Sequence, residues 1–492
     1  MKKAQIIWTL LLLLPLSILA QETKPNIVWI FSDDHSYQTI GAYGGRLQHL
    51  NPTPNIDKLA EQGMRFERSY VENSICAPSR AALLTGKMSH LHGKTINRKE
   101  AIFNHDQQQF QKILQQNGYQ TAMIGKIHLD GKMQGFNYWE VLPGQGKYYN
   151  PQFITEEGET NYKDRYVTEV ITERALNWLE KERDKSKPFM VMVHHKAPHR
   201  NWDPAKQHME LYEDIKIPEP DNLFDDYSTR ATPAHNQELD IATSMNLDRD
   251  LKASGKLYAK DPRFTKRYKK IASGELKGKE LTRWKYQNYM KDYLRCIKSV
   301  DESVGQVVKS LKEQGLDKNT IVIYSSDQGF YMGEHGWFDK RMMYEESFRT
   351  PLIVKWPGKI KAGSVNTDLV QNIDFAETFL DIAGAPIPND MQGKSLVPLL
   401  EGETPKDWRK SLYYHYYEYP GAHAVRRHEG VATKRYKLIR FYGPGVLNNE
   451  EWEFYDLEKD PSEMNNMYSN TSNTVSKLKK ELSKLRKEYK VE

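Results

Sequence analysis

The chain has 492 residues, 38% of them hydrophobic and 28% charged, with two cysteines and a formal net charge of +6. That length exceeds a single compact core and predicts at least two structural units. The positive balance is too mild to argue for nucleic acid, and two cysteines allow one disulfide at most.

Residues 1–20 read as a signal peptide: Lys2 and Lys3, an apolar run over 6–14, then Ser17-Ile18-Leu19-Ala20 before Gln21. Export is expected, to the periplasm or the medium. The apolar run is too short to span a bilayer, and no cysteine follows the cleavage point, so no stable membrane anchor is expected. Residues 26–31 form a continuous apolar run, as in a strand buried on both faces, and end in Ser32-Asp33-Asp34. A helix over 54–62 stops at Gly63.

The stretch 74–86 carries the most chemistry. Cys76 stands beside Pro78, which opens a short helical run with Ser79 and Arg80 on its first turn. Proline suits that place because its missing N–H would be unpaired there anyway. The free donors and the positive end of the helix dipole favour anions and nucleophiles. Arg80 adds a planar cation matched to a tetrahedral oxyanion.

A helix around Phe110, Ile113 and Leu114 precedes a strand over 119–124, which ends in Gly125-Lys126-Ile127-His128. Val167, Val170, Ala175, Trp178 and Leu179 mark a further helical face. Pro188 introduces a strand over 189–193, ending in His194-His195-Lys196-Ala197-Pro198-His199. Residues 201–283 break the pattern and read as a charged, substrate-facing insertion. Its basic run over 251–286 fits either a solvated surface or a cleft that attracts a polyanion. Residues 284–314 repeat apolar residues at helical spacing, which places Cys296 in a core. Thr320-Ile321-Val322-Ile323-Tyr324 then ends in Ser325-Ser326-Asp327-Gln328-Gly329.

Four strands thus share one grammar, an apolar run followed by a polar cluster. Alternation with helices predicts a doubly wound, mostly parallel α/β sheet, whose ligands gather beyond the carboxyl ends of the strands. Asp33, Asp34, Lys126, His128, His199, Asp327 and Gln328 are expected to meet there. The carboxylates and the Gln328 amide oxygen form a hard oxygen set suited to Ca²⁺ or Mg²⁺ rather than zinc. After residue 400 the chain changes to short antiparallel strands near 411–417, 430–440 and 453–457. An amphipathic helix on Val475, Leu478, Leu482 and Leu485 follows, expected to dock on that small sheet.

The Cys-x-Pro-Ser-Arg pattern resembles the signature of the type I sulfatases, in which the cysteine is oxidised to formylglycine. Gly125-Lys126-Ile127-His128-Leu129, Pro198-His199 and the segment from Gly333 to Lys340 resemble further elements of that family, as do the paired Asp33-Asp34 and Asp327-Gln328. Gln328 departs from the more usual Asn or His. The resemblance implies an alkaline-phosphatase-like catalytic domain over 21–400 and a C-terminal subdomain over 401–492. It implies Ca²⁺, with Mg²⁺ as the alternative, on Asp33, Asp34, Cys76, Asp327 and Gln328, and a maturation enzyme that makes formylglycine from Cys76, precluding a disulfide. By the same resemblance, Arg80, Lys126 and Lys340 stabilise the transferring sulfuryl group, His199 is the acid for the departing alcohol, and Asp327 or a neighbouring metal ligand accepts the nucleophile's proton. His128 takes the remaining hydroxyl proton, and His335 contacts the sugar.

The implied activity is hydrolysis of sulfate esters on a sulfated oligo- or polysaccharide, either an algal polymer such as ulvan or an N-acetylglucosamine-6-sulfate-type glycan. A phosphonate or phosphate monoester hydrolase on the same scaffold is the sister alternative. A non-catalytic glycan-binding relative is the alternative from another class.

Overall fold

The computed structural model of the chain describes residues 24–491, so the leader expected over 1–20 lies outside the described residues. The apolar runs form the middle of a ten-stranded sheet. Five parallel strands lie side by side there in the order Thr320–Ser326, Asn26–Ser32, Phe189–His194, Gln120–Gly125 and Tyr138–Val141. The first three are buried along their whole length. Leu352–Lys355, Met64–Phe66 and Ser364–Asn366 extend one side, and Gln152–Thr155 and Gly158–Asn161 the other, bringing in the antiparallel pairings.

Alternation along each strand divides the apolar side chains between two cores. Val28, Ile30, Val191 and Val193 face the layer that holds the helices Pro54–Glu61, Val167–Asn177 and Gly278–Glu313. Ile27, Trp29, Phe31 and Met192 face the layer of Cys76–Thr85, Phe110–Gln116 and Asp374–Ile382. With helices on both faces the sheet is doubly wound, as predicted. The 36-residue helix Gly278–Glu313 buries Tyr286, Tyr289, Tyr293, Cys296, Val300 and Val304. It begins six residues before the predicted start because residues 278–280 are exposed, so apolar spacing cannot mark them. Cys76 and Cys296 are both free thiols.

Ser411–Tyr416, His428–Thr433, Tyr436–Tyr442 and Glu450–Asp456 form a separate antiparallel sheet. The helix Asn473–Glu488 buries Val475, Leu478, Leu482 and Leu485 against Tyr413, Val431, Leu438 and Phe454 of that sheet. Each such side chain contributes about 1.5–3 kcal/mol when removed from water. Among the described residues no helix is long and apolar enough to cross a membrane.

The charged insertion over 201–283 holds short helices, including Thr232–His235, Gly255–Lys260 and Thr265–Ala272, until the long helix begins at Gly278. Many of its basic side chains are neutralised locally. Arg267 pairs with Asp292 of the long helix at 2.6 Å and Lys252 with the same carboxylate at 3.2 Å. Arg263 pairs with Asp203 and Asp261, and Arg283 with Glu219. Of the two readings of this basic run, the pairing favours a strapped-down insertion over an open polyanion cleft.

Candidate active site

The four predicted strand tips share one edge because their strands are parallel neighbours. Register carries this directly: Ser32 lies opposite Ser326, Phe31 opposite His194, and Gly125 opposite His194 on its other side. Gly125 has φ +107°, and a Cβ there would collide with the His194 carbonyl. This close approach brings Lys126, whose N–H donates to that carbonyl at 2.8 Å, against the tip of the Asn26–Ser32 strand. Asp34 sits in the left-handed region at φ 66° and His128 at φ 56°, conformations that side chains rarely adopt and that turn both groups at the ends of their strands.

The helix Cys76–Thr85 points its first turn at this edge, and every residue of it is buried. Arg80 donates through Nε to Asp327 Oδ2 at 3.0 Å and through Nη1 to the Lys126 carbonyl at 2.6 Å, and Nη2 lies 3.4 Å from Asp33 Oδ1. Lys126 Nζ pairs with Asp33 Oδ2 and with Gln145 Oε1. Lys340 Nζ reaches both oxygens of Asp34 at 2.7 and 2.8 Å. The insertion helps to place it: Phe338 N–H donates to Leu239 O and Ile241 N–H to Gly336 O, each at 2.9 Å.

Asp33, Asp34, Cys76 and His199 each offer one ligand atom, all within 4.8 Å of one another. His199 Nε2 lies 3.7 Å from Asp34 Oδ2, and its Nδ1 faces the Arg200 carbonyl at 2.6 Å. Asp327 is held differently, one oxygen by Arg80 and the other by the Asp34 N–H at 2.9 Å. Gln328 turns Nε2 to Asp34 and, at 3.8 Å, to Cys76 Sγ. Asp33 Oδ1 and Gln328 Oε1 are buried acceptors without a hydrogen bond. Hard oxygens in that condition fit a divalent cation.

Burial dominates the electrostatics. It pushes the Cys76 thiol up to about 12, so an unmodified cysteine there is a poor source of thiolate. Burial raises Asp34 to about 6 and, with Asp33 adding repulsion, Asp327 to about 8. Asp33 itself is held well below the carboxylate range, because Lys126, His199 and Arg80 outweigh its burial. Burial, reinforced by Lys126, holds His128 and His199 well below the usual imidazole value.

His335 has partners away from this edge. It is buried, with Nδ1 3.0 Å from Asp225 and its ring 5.3 and 5.2 Å from those of Trp337 and Tyr344. Sequence reasoning passed over Gln145, which sits on Lys126, and Lys196, buried in the Lys-Ala-Pro-His loop. It also passed over Asp339 and Arg341, which flank Lys340 and pair with each other at 3.1 Å. Their adjacency to Lys340 was a usable signal; nothing in the local sequence marks Gln145.

The family model for sulfatases matches residues 25–385, and that for the C-terminal part of N-sulphoglucosamine sulphohydrolase matches 333–488. An N-acetylglucosamine-6-O-sulfatase of Bacteroides thetaiotaomicron is 47% identical over 97% of this chain and 90% of its own length. A ulvan-active sulfatase of Formosa agariphila is 28% identical over 96% of this chain and 83% of its own length. The solved structure of BT4656 in complex with its substrate D-glucosamine-2-N,6-O-disulfate superposes with a TM-score of 0.90 at 46% identity, covering 95% of this chain and 98% of that one. With a buried cysteine at a helix start, three cations and three carboxylates on one sheet edge, and these matches across nearly its whole length, the chain belongs to the sulfatase family.

Proposed function

We propose that this sulfatase hydrolyses the 6-O-sulfate of glucosamine units, N-acetylated or N-sulfated, in a sulfated glycan, after Cys76 is converted to formylglycine. The reading of the reaction centre rests on one observation: Cys76, Arg80, Lys126 and Lys340 are buried together with Asp33 and Asp34 at one edge of the sheet. The choice of sugar rests on the relative at 47% identity and the solved neighbour at 46%, whose names specify glucosamine 6-sulfates, against 28% for the ulvan-active one. We divide the chain into a catalytic domain over 21–400 and a C-terminal subdomain over 401–492, exported after loss of residues 1–20.

Hydrated formylglycine supplies an oxygen nucleophile and a second hydroxyl through which sulfate is released. Asp33, Asp34, Asp327, Gln328 and residue 76 are the groups to hold Ca²⁺, which supplies Lewis acidity toward a sulfuryl oxygen; Mg²⁺ is the alternative. A charge argument supports a metal here. Arg80, Lys126 and Lys340 are each tied to a carboxylate, and a sulfate ester recruits them only if another cation takes over those carboxylates. The three side chains would carry the charge that develops on the sulfuryl oxygens, an electrostatic contribution that grows where water is excluded. Asp327 is the acceptor for the nucleophile's first proton. His128, held neutral, accepts the proton of the remaining hydroxyl at residue 76. His199 delivers a proton to the departing sugar oxygen once the bound sulfate's negative charge offsets Lys126.

The test is free sulfate released from N-acetylglucosamine 6-sulfate and from D-glucosamine-2-N,6-O-disulfate by the matured protein and by Cys76→Ala. Activity on 6-sulfated glucosamine that the substitution abolishes is the expected result. Faster hydrolysis of phosphate or phosphonate esters, or binding of the sugars without release, overturns the reading.

A further inference from the structure

The loop after the strand Phe189–His194 carries a cation that nothing above uses. Lys196 is 4% exposed, and its ammonium lies 4.9 Å over the ring of Tyr148. Among the described residues its ammonium has neither a hydrogen bond nor an ion pair, unlike those of the other buried lysines around it. Lys126 and Lys340 hold Asp33 and Asp34, and Lys252 binds the carbonyls of Asn201 and Trp202 as well as Asp292. Burial without an anionic partner disfavours the ammonium form of a lysine, and a bound anion reverses that.

Lys196 lines a cavity of about 440 Å³ together with His199, Tyr148, Lys147 and Arg249. His199 joins this cavity to the reaction centre, because its Nε2 faces Asp34. Lys147 and Arg249 are exposed and, among the described residues, pair with no carboxylate, Arg249 donating instead to Asn201 Oδ1 at 3.2 Å, whereas the one acidic lining residue, Asp203, is engaged by Arg263 at 3.1 Å. The cavity is therefore cationic on the side where the departing sugar must lie.

We infer that Lys196, with Arg249 and Lys147 at the rim, receives a second anionic substituent of the substrate, a sulfate or carboxylate other than the one being cleaved. This rests on the proposed hydrolysis of glucosamine 6-sulfates and makes Lys196 a specificity residue for it. Cation–π contact with Tyr148 holds the ammonium in place before the anion arrives. Burial, with Lys126 adding, brings its pKa down to about 7, so the anion also secures its charge.

Three substrates test this: N-acetylglucosamine 6-sulfate, D-glucosamine-2-N,6-O-disulfate, and N-acetylglucosamine 6-sulfate linked to glucuronate. The readout is kcat/KM for each doubly charged substrate divided by that for the singly charged one. We expect a ratio of about ten for the wild type with one of the two, falling to about one in Lys196→Met and recovering in Lys196→Arg. Arg249→Ala, at an exposed position, is expected to lower it about threefold. A preference for the disulfate places the second anion on the same ring, and a preference for the glucuronate places it on the next. A wild-type ratio near one, or a ratio untouched by Lys196→Met, overturns this inference while leaving the proposed function standing. Failure of the wild type to release sulfate from all three overturns both.

Discussion

Arg80 does three things at once: it fixes Asp327, approaches Asp33 and braces the Lys126 carbonyl. A lysine keeps the charge but not the planar fork, so Arg80→Lys is expected to lower kcat about 100-fold, with a shift of a few degrees in Tm. Steady-state sulfate release alongside a thermal melt measures both. Asp33 Oδ1 and Gln328 Oε1, buried without a hydrogen bond, lead to a second expectation at this scale. Chelation with EDTA should abolish turnover and lower Tm, and Ca²⁺ should restore both better than Zn²⁺, because the donors are mainly oxygens. Recovery with zinc alone would contradict the assignment.

Between elements, the close approach at Gly125 is the tightest constraint on the site. Gly125→Ala meets the His194 carbonyl and an unfavourable φ together, so a loss of about 2–4 kcal/mol is expected, with displacement of Lys126 and reduced kcat. Urea titration and kinetics on the same preparation check this. Asp301 of the long helix ties down the start of the helix Pro54–Glu61, accepting from the N–H groups of Asn55 at 2.8 Å and Ile56 at 3.0 Å. Burial raises its pKa to about 6 despite those bonds. A carboxyl whose folded value is raised contributes stability that is present below about pH 4 and lost as pH rises through about 6. Stability attributable to this group should therefore fall by about 1 kcal/mol per pH unit across that window, and Asp301→Asn should flatten the slope in denaturation curves. The element scale is also where legibility ends. Long buried strands such as Asn26–Ser32 declare themselves as apolar runs, so the central sheet and the polar residues gathered at its edge could be named in advance. Met64–Phe66 and Ser364–Asn366, three residues each, are too short for any periodicity to register. Lys196 escaped because one lysine after a strand reads like any other; its significance lies in what packs around it. The insertion's attachment was hidden for the same reason, since Arg267 and Asp292 are far apart in sequence.

At the scale of the whole molecule, the C-terminal sheet acts as the back wall of the loop before Cys76. His415 N–H donates to the Glu72 carbonyl at 2.9 Å, and Tyr414 accepts from Ser74 N–H at 3.3 Å while donating to the Arg341 carbonyl at 2.5 Å. One phenol thus ties together the loop before Cys76, the segment bearing Lys340 and the second sheet. Tyr414→Phe leaves two buried backbone groups unpaired and is expected to cost about 1–3 kcal/mol and to lower kcat; an unchanged kcat at equal stability would mean that the wall is passive. The placement of this wall also bears on how the proposed formylglycine would be made. Cys76 has no exposed surface in the finished fold, and Tyr414, which ties down the loop before it, lies 340 residues beyond Ser74 in the chain. On the formylglycine reading proposed above, the thiol has to meet its oxidising catalyst before the fold closes over it, and Cys76 in a chain folded beforehand is expected to stay unmodified in peptide mass analysis.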